Sequence, residues 1–175
     1  KRLFSKIYSK LREYLGILQK VPVSKLLKDN LPIEDWRNRL KNAAENEEVK
    51  IVKEILKIVD KYPGWQDKRD IDFVIKYTLS TQEMNCFMRS ILLFRIFKEI
   101  GIGEDRIYIA TVPGHTFLIM KLKSGNYLEV QTLRNAFNNT RILPIEIKAE
   151  LDNAGKRLEL LGTACLTINK PLWRV

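Results

Sequence analysis

The chain has 175 residues, of which 45% are hydrophobic and 30% are charged, and its formal net charge is +10. This length and composition are typical of a single soluble globular domain. No apolar run approaches the roughly 20 residues that a membrane-spanning helix needs, nothing resembles a secretory signal, and nothing suggests a disulfide framework, so the sequence does not point to any of those three classes.

The positive charge is concentrated at the start of the chain. Residues 1–28 contain eight basic residues against one acidic residue, Glu13, and so carry +7 of the total +10. Apolar residues at three- and four-residue steps predict an amphipathic helix over residues 2–20, whose other face is basic. We therefore treat residues 1–30 as a basic amphipathic segment, which either docks on the domain as a surface helix or contacts an anionic membrane or nucleic acid.

Three further helices are predicted before residue 80. Pro32 opens the first, which runs through Leu40, because proline is preorganised for the first helical turn. The second covers residues 47–62, where aliphatic residues recur with helical spacing. Asp70 can cap the third.

The central helix is predicted over residues 86–100 and is apolar on nearly every side, which indicates that the rest of the domain encloses it. Gly101 and Gly103 end it, since glycine adopts the left-handed conformation that terminates helices. Its start has two readings. A capping box at residues 80–83 would begin the helix early, whereas Asn85 as the cap would place Cys86 in the first turn. We favour Asn85.

The pattern then changes from helical to extended. β-Branched and aromatic residues predict strands over residues 106–112, 115–123 and 126–133. Further strands are predicted over residues 141–147 and 158–168. Helices followed by an antiparallel sheet make an α+β fold.

Cys86 and His115 are the residues that could carry chemistry. A cysteine near a helix start and a protonated histidine has a lowered pKa and attacks carbonyl carbons readily. His115, which is the one histidine of the chain, would then protonate the departing amine. Backbone N–H groups at the helix start, or the side chain of Gln82, could hold the oxyanion.

Three motifs follow one another between residues 82 and 132. They are Asn85-Cys86 with the apolar helix behind it, the strand His115-Thr116-Phe117-Leu118-Ile119-Met120-Lys121-Leu122, and the strand Gly125-Asn126-Tyr127-Leu128-Glu129-Val130-Gln131-Thr132. In this order and spacing they resemble the core of the transglutaminase-like superfamily, over less than a third of the chain. The resemblance implies a papain-like fold, a Cys-His-Asp triad, and acyl transfer on the amides of a protein or peptide substrate.

The third member of the triad departs from this resemblance. The aspartate of the family should fall at Gln131, and the nearest acid is Glu129, two residues earlier. Residues two apart on a strand face the same side, so either side chain could reach His115. Glu129 would stabilise an imidazolium better, whereas Gln131 stands in the expected register and could orient the ring as an amide does in papain-like enzymes.

The sequence thus predicts a basic segment over residues 1–30 and one transglutaminase-like domain over residues 31–175, with its core at 70–133. No cofactor motif is present, one histidine and two distant cysteines disfavour a metal site, and Cys165 is expected to be a buried strand residue. The expected function is that of a cytoplasmic thiol enzyme. The alternatives are an inactive binding module of the same fold, or a protein that acts through residues 1–28. The first residue is Lys1 rather than methionine, which is compatible with removal of a preceding segment.

Overall fold

The computed structural model describes residues 31–60, 82–112, 115–132, 136–154, 158–160 and 163–167. The helices predicted over residues 2–20 and from Asp70 lie outside these ranges. The described helices are α1 (Ile33–Leu40), α2 (Glu45–Asp60), α3 (Gln82–Glu99), α4 (Ala136–Asn139) and α5 (Ile145–Ala154). The strands are β1 (Ile107–Val112), β2 (His115–Lys121), β3 (Tyr127–Val130), β4 (Arg141–Ile142), β5 (Leu158–Leu160) and β6 (Thr163–Thr167), and a short 3-10 helix, Glu104–Arg106, precedes β1.

The first two described helices are those that the sequence predicts, with small differences in their bounds. Pro32 is the N-cap of α1, and the carbonyl of Pro32 accepts the N–H of Trp36 at 3.0 Å. Helix α2 begins at Glu45, two residues before the predicted start. Both helices pack an apolar stripe against the core, and this burial accounts for the helical spacing of their apolar residues.

Helix α3 begins at Gln82, so the prediction that Asn85 caps it is wrong. The observed start places Cys86 in the second turn, and the alternative capping box at residues 80–83 begins outside the described residues. At its other end, the N–H of Ile102 donates to the carbonyl of Phe97 at 2.9 Å, and Gly101 has a φ of +102°. This is the Schellman arrangement, and it confirms glycine as the stop signal.

The described strands form one sheet in the order β4-β3-β2-β1-β6-β5. The four strands from β4 to β1 are antiparallel to their neighbours, whereas β6 runs parallel to β1. The expected α+β architecture with an antiparallel sheet is therefore present, and a hairpin of β5 and β6 extends it.

Two of the strand predictions need correction. The strand expected over residues 141–147 ends at Ile142, and Ile145–Ala154 is helical, because the carbonyl of Pro144 accepts the N–H groups of Ile147 and Lys148 at 3.1 and 3.0 Å. Alternating apolar residues imitated a strand there, yet Ile145 is 76% exposed. The strand expected over residues 158–168 is two strands, β5 and β6, and only Gly162 in the sequence signals the reversal between them.

The sheet separates two apolar layers. On one face, Leu118 and Met120 of β2 belong to the large core that includes α2 and α3. On the other face, Phe117 and Ile119 belong to a smaller cluster with residues of β3 and α5. Side chains that alternate along β2 therefore point into different layers, as the strand period requires.

The turn between β2 and β3 anchors the sheet to the helices. Gly125 has a φ of +94° and closes the turn that Ser124 and Gly125 predicted. Lys123 donates from Nζ to the carbonyl of Leu40 at 2.5 Å, which satisfies a carbonyl at the C-terminal end of α1. Asn126 donates to Glu45, at the start of α2, at 2.9 Å.

A hydrogen bond between Tyr127 and Asp152 ties α5 to β3 and predicts a pH dependence. Tyr127 donates from its hydroxyl to Asp152 Oδ1 at 2.7 Å. Burial is the main cause that raises the pKa of Tyr127, and the hydrogen bond from Tyr127 is the main cause that lowers the pKa of Asp152. Above about pH 10 the unfolded tyrosine ionises while the folded one keeps its proton, so stability falls as pH rises. Below about pH 4 it falls as Asp152 takes up a proton.

We expect Tyr127→Phe to flatten both limbs of this profile. The measurement is the free energy of unfolding in urea as a function of pH for the native protein and for the variant. The difference between the two proteins should shrink towards both extremes of pH. A difference that stays constant with pH would contradict this assignment.

Candidate functional site

His115 is the first residue of β2 and is 9% exposed. Its ring stacks on Phe117, two residues along the strand, with the ring centroids 5.5 Å apart and an angle of 19° between the planes. The stacking restricts the orientation of the imidazole, so its two nitrogens point in fixed directions.

A chain of polar side chains continues from the imidazole. His115 Nε2 lies 2.9 Å from Gln131 Oε1, and Gln131 Nε2 donates in turn to Glu129 Oε1. On the far side of this carboxylate, Arg141 donates from Nε to Glu129 Oε2 at 3.2 Å. Gln131 and Glu129 are 6% and 2% exposed, so little water competes for these bonds. We refer to His115, Gln131, Glu129 and Arg141 as the polar relay.

The strand pairing brings the relay together. Ile119 pairs with Glu129, which places Gln131 beside the start of β2, and Glu129 pairs with Arg141 across the β3–β4 edge. Two threonines fix the end of β3. The N–H of Gln131 donates to Thr140 Oγ1 at 3.3 Å, and Thr132 donates from its hydroxyl to the carbonyl of Thr116 at 2.7 Å.

The structure thus places both candidates for the third site member in one chain of hydrogen bonds. Gln131, which the register favoured, contacts His115, and Glu129, which the chemistry favoured, lies behind it and contacts the amide. Arg141 could not be predicted as a member of the site from the sequence. Its signal was the register between β3 and β4, which a single sequence does not reveal.

The position of Cys86 is known along the helix only, since its side chain and that of Gln82 lie outside the described residues. Ser90, one turn later on the same side of α3, donates from Oγ to the carbonyl of Thr116 at 3.4 Å. Thr116 is the neighbour of His115 on β2. The first half of α3 therefore lies at the end of β2 that carries the histidine.

The two faces of the sheet constrain how α3 could meet the imidazole. Helix α3 packs on the face of Leu118 and Met120, whereas His115 shares the opposite face with Phe117. A contact between Cys86 and His115 would therefore have to pass around the end of β2, which begins at His115.

Two other sequence predictions concern residues whose side chains the structure does not describe. Cys165 lies in β6 and pairs with Ile109 and Leu158, as expected for a strand residue, but its burial is outside the described part. The basic segment over residues 1–28 is also outside it, so its contacts with a membrane or nucleic acid remain a prediction.

The polar relay can orient an imidazole, and general acid and base catalysis requires an oriented proton donor or acceptor. Within the described ranges, no group of three or more histidine, cysteine, aspartate or glutamate side chains is placed to bind a metal ion. Nor does any helix in those ranges combine the length and apolarity needed to cross a membrane. Comparison of this chain with models of known protein families, with curated proteins and with solved structures found no match in any of the three.

Proposed function

We propose that this protein is a transglutaminase-like thiol enzyme that acts on amide or peptide bonds of a protein or peptide substrate through a thioester at Cys86. The observation that carries the proposal is the buried contact of 2.9 Å between His115 Nε2 and Gln131 Oε1. The one histidine of the chain lies within hydrogen-bonding distance of a side-chain amide, as the histidine does in the Cys-His-Asn sites of papain-like cysteine proteases.

In this proposal, His115 and Cys86 form an imidazolium–thiolate pair. The thiolate attacks the carbonyl carbon of the amide, and the C–N bond breaks as the imidazolium gives its proton to the departing amine. The resulting thioester is then resolved by water, in a peptidase, amidase or deamidase, or by a second amine, in a cross-linking enzyme. The hydrogen bond to Gln131 would orient the ring through both steps.

The path of α3 supports the pairing of Cys86 with His115. Ser90 contacts the carbonyl next to His115, and Cys86 precedes Ser90 by one helical turn, or about 6 Å along the axis. The proposal requires the Cys86 side chain to reach the imidazole around the end of β2, because α3 and His115 lie on opposite faces of the sheet. Phe117 closes one face of the imidazole by stacking.

The observed start of α3 changes the proposed oxyanion donors. In a helix that begins at Gln82, the N–H of Cys86 falls where it bonds to the carbonyl of Gln82 within the helix. This N–H therefore donates within the helix and does not point to an oxyanion. The proposal accordingly assigns this role to the side chain of Gln82, which begins the helix one turn before Cys86.

Alkylation by iodoacetamide at about pH 6 tests the nucleophile, with the two cysteines resolved by peptide mass spectrometry. A thiol pKa lowered by about two units raises the thiolate fraction nearly a hundredfold and lowers its intrinsic reactivity about tenfold. We therefore expect native Cys86 to react about tenfold faster than the same residue in the urea-unfolded chain. His115→Ala should remove this advantage, and Cys165 provides the internal reference.

A second measurement asks whether the thiol forms an acyl intermediate. With p-nitrophenyl acetate, we expect a burst of p-nitrophenolate and one acetyl group on the peptide that contains Cys86. Cys86→Ala should abolish the burst. An ordinary alkylation rate at Cys86 together with no burst would reject the enzyme and leave an inactive binding module with the same fold.

A further inference from the structure

We infer that Glu129 is a positioning residue that sets the tautomer of His115 by fixing the direction of the Gln131 amide. The inference deepens the proposed function and rests on it for its catalytic meaning, although the tautomer itself is a property of the folded chain. The residues that carry it are the four members of the polar relay.

The carboxylate of Glu129 determines which group can face it. An ionised carboxylate accepts hydrogen bonds and donates none. Glu129 is 2% exposed, and its Oε2 accepts from Nε of Arg141 at 3.2 Å in an ion pair. Whatever faces Glu129 Oε1 must therefore be a donor, and the group there is Gln131 Nε2.

The direction of the amide follows from this requirement. With its nitrogen towards Glu129, Gln131 presents Oε1 to the imidazole, 2.9 Å from Nε2. A carbonyl oxygen can only accept, so His115 Nε2 must carry a proton. In the neutral ring, Nδ1 is then the basic nitrogen, and in the proposed mechanism it is the nitrogen that would take the proton of Cys86.

Through this arrangement Glu129 can act on His115 although it lies two residues before Gln131, the position where the family resemblance places an aspartate. A glutamine alone presents an oxygen or an amino group to a histidine equally well, because its amide can rotate by half a turn. Glu129 removes that freedom without touching the ring. The ion pair with Arg141, on the neighbouring edge strand, keeps the carboxylate in place at the cross-strand position opposite it.

Nitrogen NMR of the single histidine tests this inference directly. The full-length chain is labelled with ¹⁵N-histidine in a Cys86→Ala background, which prevents an imidazolium–thiolate pair, and is measured above the pKa of the imidazole. We expect one tautomer, with the proton on Nε2. Glu129→Gln is nearly isosteric and can present either end of its amide, so the Nδ1 signal should shift towards the frequency of a protonated nitrogen as a mixture appears.

Glu146→Gln is the matched control, because Glu146 is an exposed glutamate on α5 outside the polar relay and loses the same charge. It should leave the tautomer unchanged. A proton on Nδ1 in the parent chain would overturn the inference whether or not the Glu129 variant folds, and so would an unchanged spectrum in a folded Glu129→Gln variant. If the tautomer behaves as expected but Cys86 alkylates at an ordinary rate, the positioning role stands and the enzyme proposal fails.

Discussion

Replacing Glu48 with alanine is expected to reduce the free energy of unfolding by about 3 kcal/mol, because it leaves a largely buried cation without its counter-charge. Glu48 is fully buried on α2, and its Oε1 accepts from Arg106 Nη2, whose side chain is 20% exposed. Its Oε2 accepts the backbone N–H of Lys123 at 3.0 Å. One carboxylate thus joins α2 to the segment before β1 and to the turn after β2.

The loss in free energy of unfolding should lie near the lower end of the range found when one partner of a buried ion pair is removed. Arg106 keeps some access to water and also donates from Nε to the carbonyl of Lys121 at 2.9 Å, so its charge retains some compensation. The N–H of Lys123, by contrast, loses the Glu48 carboxylate as its acceptor, which costs about 1–3 kcal/mol when no water replaces it.

Glu47→Ala is the control, because it changes the same residue type at the adjacent position of the same helix. Glu47 is 36% exposed, and its partner Arg39 also pairs with Asp35 and Glu54, so we expect a loss below about 1 kcal/mol. Urea unfolding of both variants provides the comparison, since a shift of the midpoint at constant slope reports stability alone. Equal losses in the two variants would show that the buried pair does not hold these elements together.

The parts of the fold that the sequence predicted are those that depend on local patterns. The aliphatic spacing of α2, Pro32 at the start of α1 and Gly101 at the end of α3 act within a few residues, so one sequence contains the whole signal. Residues 145–154 show the limit of such patterns. Their alternating isoleucines fit a strand, but the carbonyl of Pro144 and a run of good helix formers favoured a helix.

The candidate site shows the same division between local and long-range information. The type and order of Cys86, His115 and Gln131 could be read from the sequence. The sequence could not predict that Gln131 contacts His115 while Glu129 contacts Gln131. Those contacts depend on how far each side chain reaches across a strand pair. Arg141 could not be found at all without the β3–β4 register.

Replacing Gln131 with leucine is expected to slow alkylation of Cys86 about threefold at pH 6, because in the proposed site the imidazolium loses the amide oxygen that orients it and supports its charge. A less stable imidazolium stabilises the thiolate less, so the thiolate fraction falls. The effect should depend on pH in a defined direction. Above the ordinary thiol pKa of about 8.5 the thiolate forms without help, and the variant should approach the native rate.

Thr132→Val is the matched control for this substitution. Thr132 is the next residue along the chain and is 1% exposed, and its hydroxyl donates to the carbonyl of Thr116 at 2.7 Å. Thr132→Val loses the hydrogen bond to Thr116, and Gln131→Leu loses those to His115 and Glu129. Both variants therefore lose side-chain hydrogen bonding at the end of β3, but only Gln131→Leu removes a hydrogen bond from the imidazole. The alkylation rate of Cys86 from pH 5 to 9 should be unchanged by Thr132→Val. If both variants lowered the rate equally at every pH, Gln131 would act by supporting the strand end and not by supporting the charge on His115.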